Sequence, residues 1–266
     1  MNKLDELFRK KSRNVLAVYV TAGFPEISSL AKIAASLQQS GADIIEIGMP
    51  FSDPLADGEV IQHTSRVALH NGMNIQRMFE QLEQLKNEVS LPLVLMGYLN
   101  PVLSYGMENF LHNASSAGIA AIILPDLPPE VYESEYQPLF AKYGLHAIFL
   151  VTPSTPDSRI AYLASLSGGF LYAVAEAGVT GARTTLPEAR KLYLRKVKAL
   201  AGGLPVLAGF GIHNRETFQA VSEITNGAIT GSAFLRALNT GEPLEESVRE
   251  FVQQLISTTN DCSVAE

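Results

Sequence analysis

A glutamate interrupts an apolar run, Ile44-Ile45-Glu46-Ile47-Gly48. Residues of this kind make a buried strand, and a carboxylate buried with them is costly to ionise. Its pKa is expected to rise, so that one group donates and accepts a proton near neutral pH. The competing reading turns Glu46 outward to pair with a basic side chain, yet no lysine or arginine adjoins it in sequence. A second carboxylate follows in Ser52-Asp53-Pro54-Leu55-Ala56-Asp57-Gly58. Asp57 reads either as the N-cap of a helix opening at Gly58 or as the acid–base partner of Glu46, and Asp53 competes for the second role. Two carboxylates on one strand-loop unit face one pocket and suit proton transfer.

Glycine loops supply a different chemistry. They are Gly178-Val179-Thr180-Gly181, Gly209-Phe210-Gly211 and Gly231-Ser232-Ala233. Glycine lets backbone N–H groups approach an anion closely, and Ser232 adds a hydroxyl, so a phosphate is the expected ligand. Glycines also serve ordinary turns; it is the repetition at successive strand ends that favours the anion.

Other chemistries lack their residues. The nine lysines fall in predicted helices or the N-terminal segment, not at strand ends, so a Schiff base is not expected. The histidines, at 63, 70, 112, 146 and 213, are scattered, and His63 and His70 read as solvated helix residues. No spacing suggests a catalytic metal, and no Ser/His/Asp arrangement stands out.

What must position these residues is a repeated strand–helix unit. Eight short apolar, β-branched runs recur, at 16–21, 43–48, 92–97, 120–125, 146–152, 170–175, 205–209 and 228–231. Helical apolar spacing lies between them, as at 30–37, 78–85 and 193–200. Alternation of this kind implies a parallel sheet, and eight units in 266 residues imply a closed (β/α)8 barrel, an α/β fold of one domain over residues 1–266. The N-terminal segment reads as an extra amphipathic helix, with Leu4, Leu7 and Phe8 on one face. The long gap after the second strand holds two helices, at 58–70 and 74–88, one of them extra to the barrel pattern. Residues 257–266 are polar and read as a frayed tail. In such barrels chemistry sits at the C-terminal strand ends, and the loops after strands seven and eight commonly hold a phosphate. The two carboxylates and the last two glycine loops all fall there.

Composition narrows the partners. The formal net charge is −7, so nucleic acid and anionic membranes are not expected ligands. The longest apolar stretches are strand-sized, too short to span a bilayer. One cysteine, Cys262, allows no intramolecular disulfide, and no long apolar run opens the sequence. Both fit a cytoplasmic protein.

Residues 45–58, Ile-Glu-Ile-Gly-Met-Pro-Phe-Ser-Asp-Pro-Leu-Ala-Asp-Gly, closely resemble the signature of tryptophan synthase α chains. Residues 19–25, 97–101, 178–181, 209–212 and 231–233 agree in order, so the resemblance covers nearly the whole chain. It implies a (β/α)8 barrel that cleaves indole-3-glycerol phosphate to indole and glyceraldehyde 3-phosphate. By the same resemblance Glu46 is the proton-transfer residue and Asp57 the second catalytic carboxylate. Tyr172 is a strand-six tyrosine near the substrate, with a core aromatic as its competing reading. Gly181, Gly209, Gly211, Gly231 and Ser232 match the phosphate site, and Tyr19 and Tyr98 the pocket walls. Residues 52–58, with Asp53 and Pro54, match a contact with the β subunit, and residues 179–187 a lid. An α2β2 heterotetramer is implied, with no cofactor in this chain and pyridoxal phosphate only in the β partner. Ala175 and Glu176 depart from the serine and arginine common there, which bears on the hydrogen bonds of the lid.

The implied mechanism protonates indole C3 from Glu46, while Asp57 stabilises the charge on the indole N–H and accepts its proton. Alternatives are a stand-alone lyase releasing free indole, a catalytically weak regulatory barrel, and an isomerase on a phosphate-binding barrel. The two carboxylates argue against the last two.

Overall fold

The structure, a computed structural model, describes residues 1–55, 57–174, 186–209, 211–239 and 241–257. Gly181, the departures at Ala175 and Glu176, most of the expected lid and the expected tail beyond residue 257 lie outside the described residues.

Nine strands run in parallel: β1 Val15–Thr21, β2 Ile44–Gly48, β3 Leu93–Met96, β4 Ile119–Ile123, β5 His146–Ala147, β6 Leu150–Val151, β7 Leu171–Val174, β8 Val206–Gly209 and β9 Gly227–Thr230. Their order is β5-β4-β3-β2-β1-β9-β8-β7-β6. The two outermost strands of that order are successive pieces of one stretch, 146–151. Its first half pairs with β4 and its second with β7. The Ile148 N–H reaches Ile122 O at 3.1 Å on one side, and Phe149 O receives the Tyr172 N–H at 3.0 Å on the other. The sheet therefore closes on itself, as eight strand positions in a (β/α)8 barrel. The expected single strand over 146–152 is instead two short pieces, because this stretch changes partner midway.

Two apolar layers hold the barrel together. Val15, Ala17, Ile44, Val94, Ala121, Ile123, Phe170, Leu207 and Ile229 fill the interior, on alternate positions of their strands. The other strand face packs on the helices. In the helix Ser29–Ser40, Leu30, Ile33, Ala34 and Leu37 are buried, a spacing that lines one helical face.

The N-terminal helix Lys3–Lys10 closes the bottom of the barrel. Leu4 is fully buried in the interior layer, with Leu7 and Phe8 packed against it. Phe8 meets Phe170 at 6.2 Å between ring centroids. Asn2 caps the helix and donates to Ala120 O at 2.8 Å, and His146 Nε2 donates to Asp5 Oδ1 at 2.9 Å. The gap after β2 holds two helices, Glu59–His70 and Ile75–Leu85, as expected.

Candidate active site

Parallel pairing sets the first pair of groups side by side. Tyr19 on β1 lies opposite Glu46 on β2, and Thr21 opposite Gly48. Tyr19 is 6% exposed and Glu46 1%. The Tyr19 hydroxyl lies over Gly48, where a Cβ would come within 1.9 Å of it. Across the barrel Tyr172 on β7 does the same to Gly209 on β8, at 2.7 Å. These two glycines are gaps that the tyrosine rings fill. Gly209 thus has a packing reason to be glycine, apart from any phosphate.

Glu46 stands between these tyrosines, without a counter-charge among the described residues. Neither of its carboxylate oxygens has a hydrogen-bond partner among the described residues. Burial, and then the charge of Asp57, push its pKa up to about 8. The outward-facing reading is excluded by this burial. Tyr19 and Tyr172 are both held above the ordinary tyrosine range, first by burial and then by the nearby carboxylates. Phe170, just before β7, lies 6.5 Å from Tyr172 between tilted ring centroids, so this tyrosine packs on a core aromatic while its hydroxyl lies near Gly209 and Glu46.

Asp57 arrives from the loop after β2. The helix that follows is capped by Gly58 and makes no side-chain cap bond, so Asp57 does not serve as the cap. Its Oδ2 instead accepts from the Tyr98 hydroxyl at 3.1 Å. Burial raises the Asp57 pKa and this bond opposes the rise. Tyr98 is itself fixed at the start of the helix Leu99–Tyr105 and packs on Phe51, 5.2 Å between centroids. The next N–H, of Leu99, donates to both oxygens of Asp126, at 2.9 and 3.0 Å. Sequence reasoning missed Asp126. The available signal was its place at a strand end, in Pro125-Asp126-Leu127-Pro128.

The other expected residues lie around the same end of the barrel. Gly211 has φ +33°, in the left-handed region, and a Cβ there would meet nothing within 4 Å. Thr230 Oγ1 donates to Ile212 O at 2.7 Å and ties this loop to the end of β9. Gly231 follows β9 and packs on Tyr19, and Ser232 opens the helix Ser232–Ala237. Asp53 is exposed and accepts from the Ser52 hydroxyl; Pro54 is half-buried, and Leu55 is 92% exposed. His63 and His70 are exposed on their helix, as expected. Among the described residues, no group of three His, Cys, Asp or Glu side chains is placed to hold a metal ion. No described helix is long and apolar enough to cross a membrane.

A buried carboxyl group with a raised pKa, a second carboxylate near enough to raise it further and the open backbone at Gly211 lie at one end of the barrel. Comparison with known proteins gives the chain's family. The family model of the tryptophan synthase alpha chain matches residues 6–263. The chain belongs to the tryptophan synthase alpha chain family. A tryptophan synthase alpha chain of Christiangramia forsetii is 44% identical over 97% of this chain and 100% of its own length. One from Flavobacterium johnsoniae is 42% identical, over 96% and 100%. Among solved structures, the tryptophan synthase alpha chain of Legionella pneumophila superposes with TM-score 0.85 at 31% identity, covering 96% of both chains. As a tryptophan synthase alpha chain this protein is an α/β barrel and an indole-3-glycerol phosphate lyase of tryptophan biosynthesis.

Proposed function

We propose that Glu46 and Asp57 carry the cleavage of indole-3-glycerol phosphate, and that the loops after β8 and β9 hold the substrate phosphate. The observation that carries this reading is Glu46 itself: buried, without a partner among the described residues, and with a pKa near 8. At neutral pH such a group is mostly protonated and ready to donate. Its proton goes to indole C3, which turns the aromatic ring into an indoleninium cation. Asp57, ionised, accepts the indole N–H hydrogen bond and stabilises that cation. The Glu46 carboxylate then takes the proton of the side-chain hydroxyl. The bond from C3 to the glycerol carbon breaks, its electron pair restores the indole ring, and the hydroxyl carbon becomes the aldehyde of glyceraldehyde 3-phosphate. Glu46 ends protonated, as it began. The steps use no cofactor from this chain.

Gly211, Gly231 and Ser232 are the described groups assigned to the phosphate, with Gly181 outside the described residues. The first turn of the helix Ser232–Ala237, whose N–H groups have no partner within the helix, and the open space at Gly211 support this. Remote binding of this kind orients the reacting carbon. Tyr19 and Tyr172 form the pocket walls beside Glu46, and Tyr98 holds Asp57.

The partner is a β subunit in an α2β2 assembly, docked on Asp53, Pro54 and the exposed Leu55, in a cytoplasmic setting. Asp57 rides on that loop, and docking there orders it for the indole to pass onward to a pyridoxal phosphate enzyme. The test is indole release from indole-3-glycerol phosphate, by the purified chain with and without a β subunit, and light scattering of the mixture. A complex with faster cleavage is expected. Cleavage that no partner alters, with no complex formed, leaves a stand-alone lyase. No cleavage in either case overturns the reading.

A further inference from the structure

Where β1 ends against the helix Glu59–His70 lies a buried pair of threonine hydroxyls that the proton-transfer steps do not use. Thr21 ends β1 and is 2% exposed; Thr64, on the helix Glu59–His70, is 1% exposed. Their Oγ1 atoms are 2.8 Å apart. Thr64 Oγ1 donates to Ile61 O at 3.0 Å. A hydroxyl carries one proton, so Thr21 is the donor of the shared bond and Thr64 the acceptor.

Thr21 is tied on its other side as well. It lies opposite Gly48 in the ladder between β1 and β2, and the next N–H, of Ala22, donates to Gly48 O at 3.0 Å. Gly48 leads into the stretch that carries Asp57, and the helix Glu59–His70 leads out of it. The end of β1 thus holds both ends of that stretch, Ala22 at Gly48 and Thr21 at the helix. The helix in turn holds Asp57: Gln62 Nε2 donates to Asp57 O at 2.8 Å. A groove of about 290 Å³ runs along this helix, lined by Phe24, Val60, His63, Thr64 and Leu235 among others, so its packing is not continuous on that side. A directional bond in a dry site selects one position where apolar contact does not.

We propose that the Thr21–Thr64 hydroxyl pair is a positioning pair for Asp57, fixing the helix that sets where the Asp57 carboxylate stands against Glu46. The proposal rests on the catalytic reading of Asp57 above. Cleavage is measured for Thr64→Val, Thr64→Ser, the double variant Thr21→Val/Thr64→Val, Asp57→Asn and Asp57→Asn/Thr64→Val, all with the β subunit present, alongside thermal unfolding. Thr64→Val is expected to lower kcat about tenfold with KM little changed, the signature of lost orientation. The double variant replaces both hydroxyls by methyl groups of the same shape, so its thermal stability recovers in part, short of wild type because Tyr19 loses its Thr21 partner, while kcat stays low. Thr64→Ser restores kcat. In the Asp57→Asn background Thr64→Val causes no further loss, because the two changes act on one group. A double variant with normal kcat overturns the proposal, as does a full further loss in the Asp57→Asn background. Normal cleavage by Asp57→Asn alone instead overturns the catalytic reading of Asp57, which separates the two failures.

Discussion

The two ends of this barrel treat polar groups in opposite ways. At the bottom, each is matched: Asn2 caps its helix and reaches Ala120 O, His146 meets Asp5, and Lys11 meets Asp43 at 2.6 Å. Leu4 and Phe8 seal the interior beneath them. At the top, Glu46 is buried with neither oxygen matched among the described residues, and Gly211 leaves space open. An unmatched buried carboxyl group destabilises a fold, and it is tolerated where a ligand completes it. The bottom is built for stability, and the top gives stability up at the groups to which the proton transfer is assigned above.

The sharpest way to break this comparison is Glu46→Gln. The amide keeps the size and cannot exchange the proton, so kcat is expected to fall roughly a hundredfold or more in the indole assay. The same change is expected to raise stability. Folded Glu46 has a pKa near 8 against an ordinary 4.5, so the folded state binds the extra proton between those values. Stability from this group therefore falls as pH rises through that window, and the gain from Gln is larger at pH 8 than at pH 5. Thermal unfolding at the two pH values checks the sign; a loss of stability at pH 8 would show that Glu46 is matched after all.

At the other end, Leu4→Ala removes a fully buried side chain from the seal. It is expected to cost about 2–5 kcal/mol of stability. Denaturant unfolding measures it, and kcat per folded molecule should stay the same. A matching loss of kcat would mean that the ends are not separable.

Next in size is Gly211→Asp, which places a negative side chain in the open space assigned to the phosphate. Binding of glycerol 3-phosphate by calorimetry is expected to weaken at least about tenfold, as like charges meet in a partly desolvated site. Unchanged affinity moves the phosphate elsewhere.

Smallest is Tyr98→Phe. It removes the hydrogen bond that holds the Asp57 pKa down. The acid limb of the kcat/KM profile is expected to move toward neutral pH, while the alkaline limb, set by Glu46 near 8, stays in place. An acid limb that does not move assigns it to another group.

Much of the top end was legible in sequence, because its chemistry breaks a pattern. Glu46 stood out by interrupting an apolar run, and strand-end glycines by recurring. Seven strands could be placed to within a residue or two, since apolar runs bounded by turns mark buried strands. The interruption within 146–152 left no mark: Ala147-Ile148-Phe149-Leu150-Val151 is continuously apolar, and only closure of the sheet splits it. The packing reason for Gly48 and Gly209 was hidden too, because each makes room for a tyrosine distant in sequence. Asp57 reads as cap or catalyst in sequence, and the structure removes the cap, because Gly58 holds that position before the helix Glu59–His70.

The split stretch has a consequence of its own. Elsewhere adjacent strands share ladders of three residues or more, but β5 meets β4 through two residues and β6 meets β7 through two. A closed ring of strands opens where its links are fewest. Native-state hydrogen exchange should find the amides of Ile148 and Tyr172, which bridge this seam, trading their protons before those of Ile45 or Val18 on the opposite wall. The ring is thus a belt with a buckle, and the buckle sits beside Tyr172, on the wall that faces Glu46.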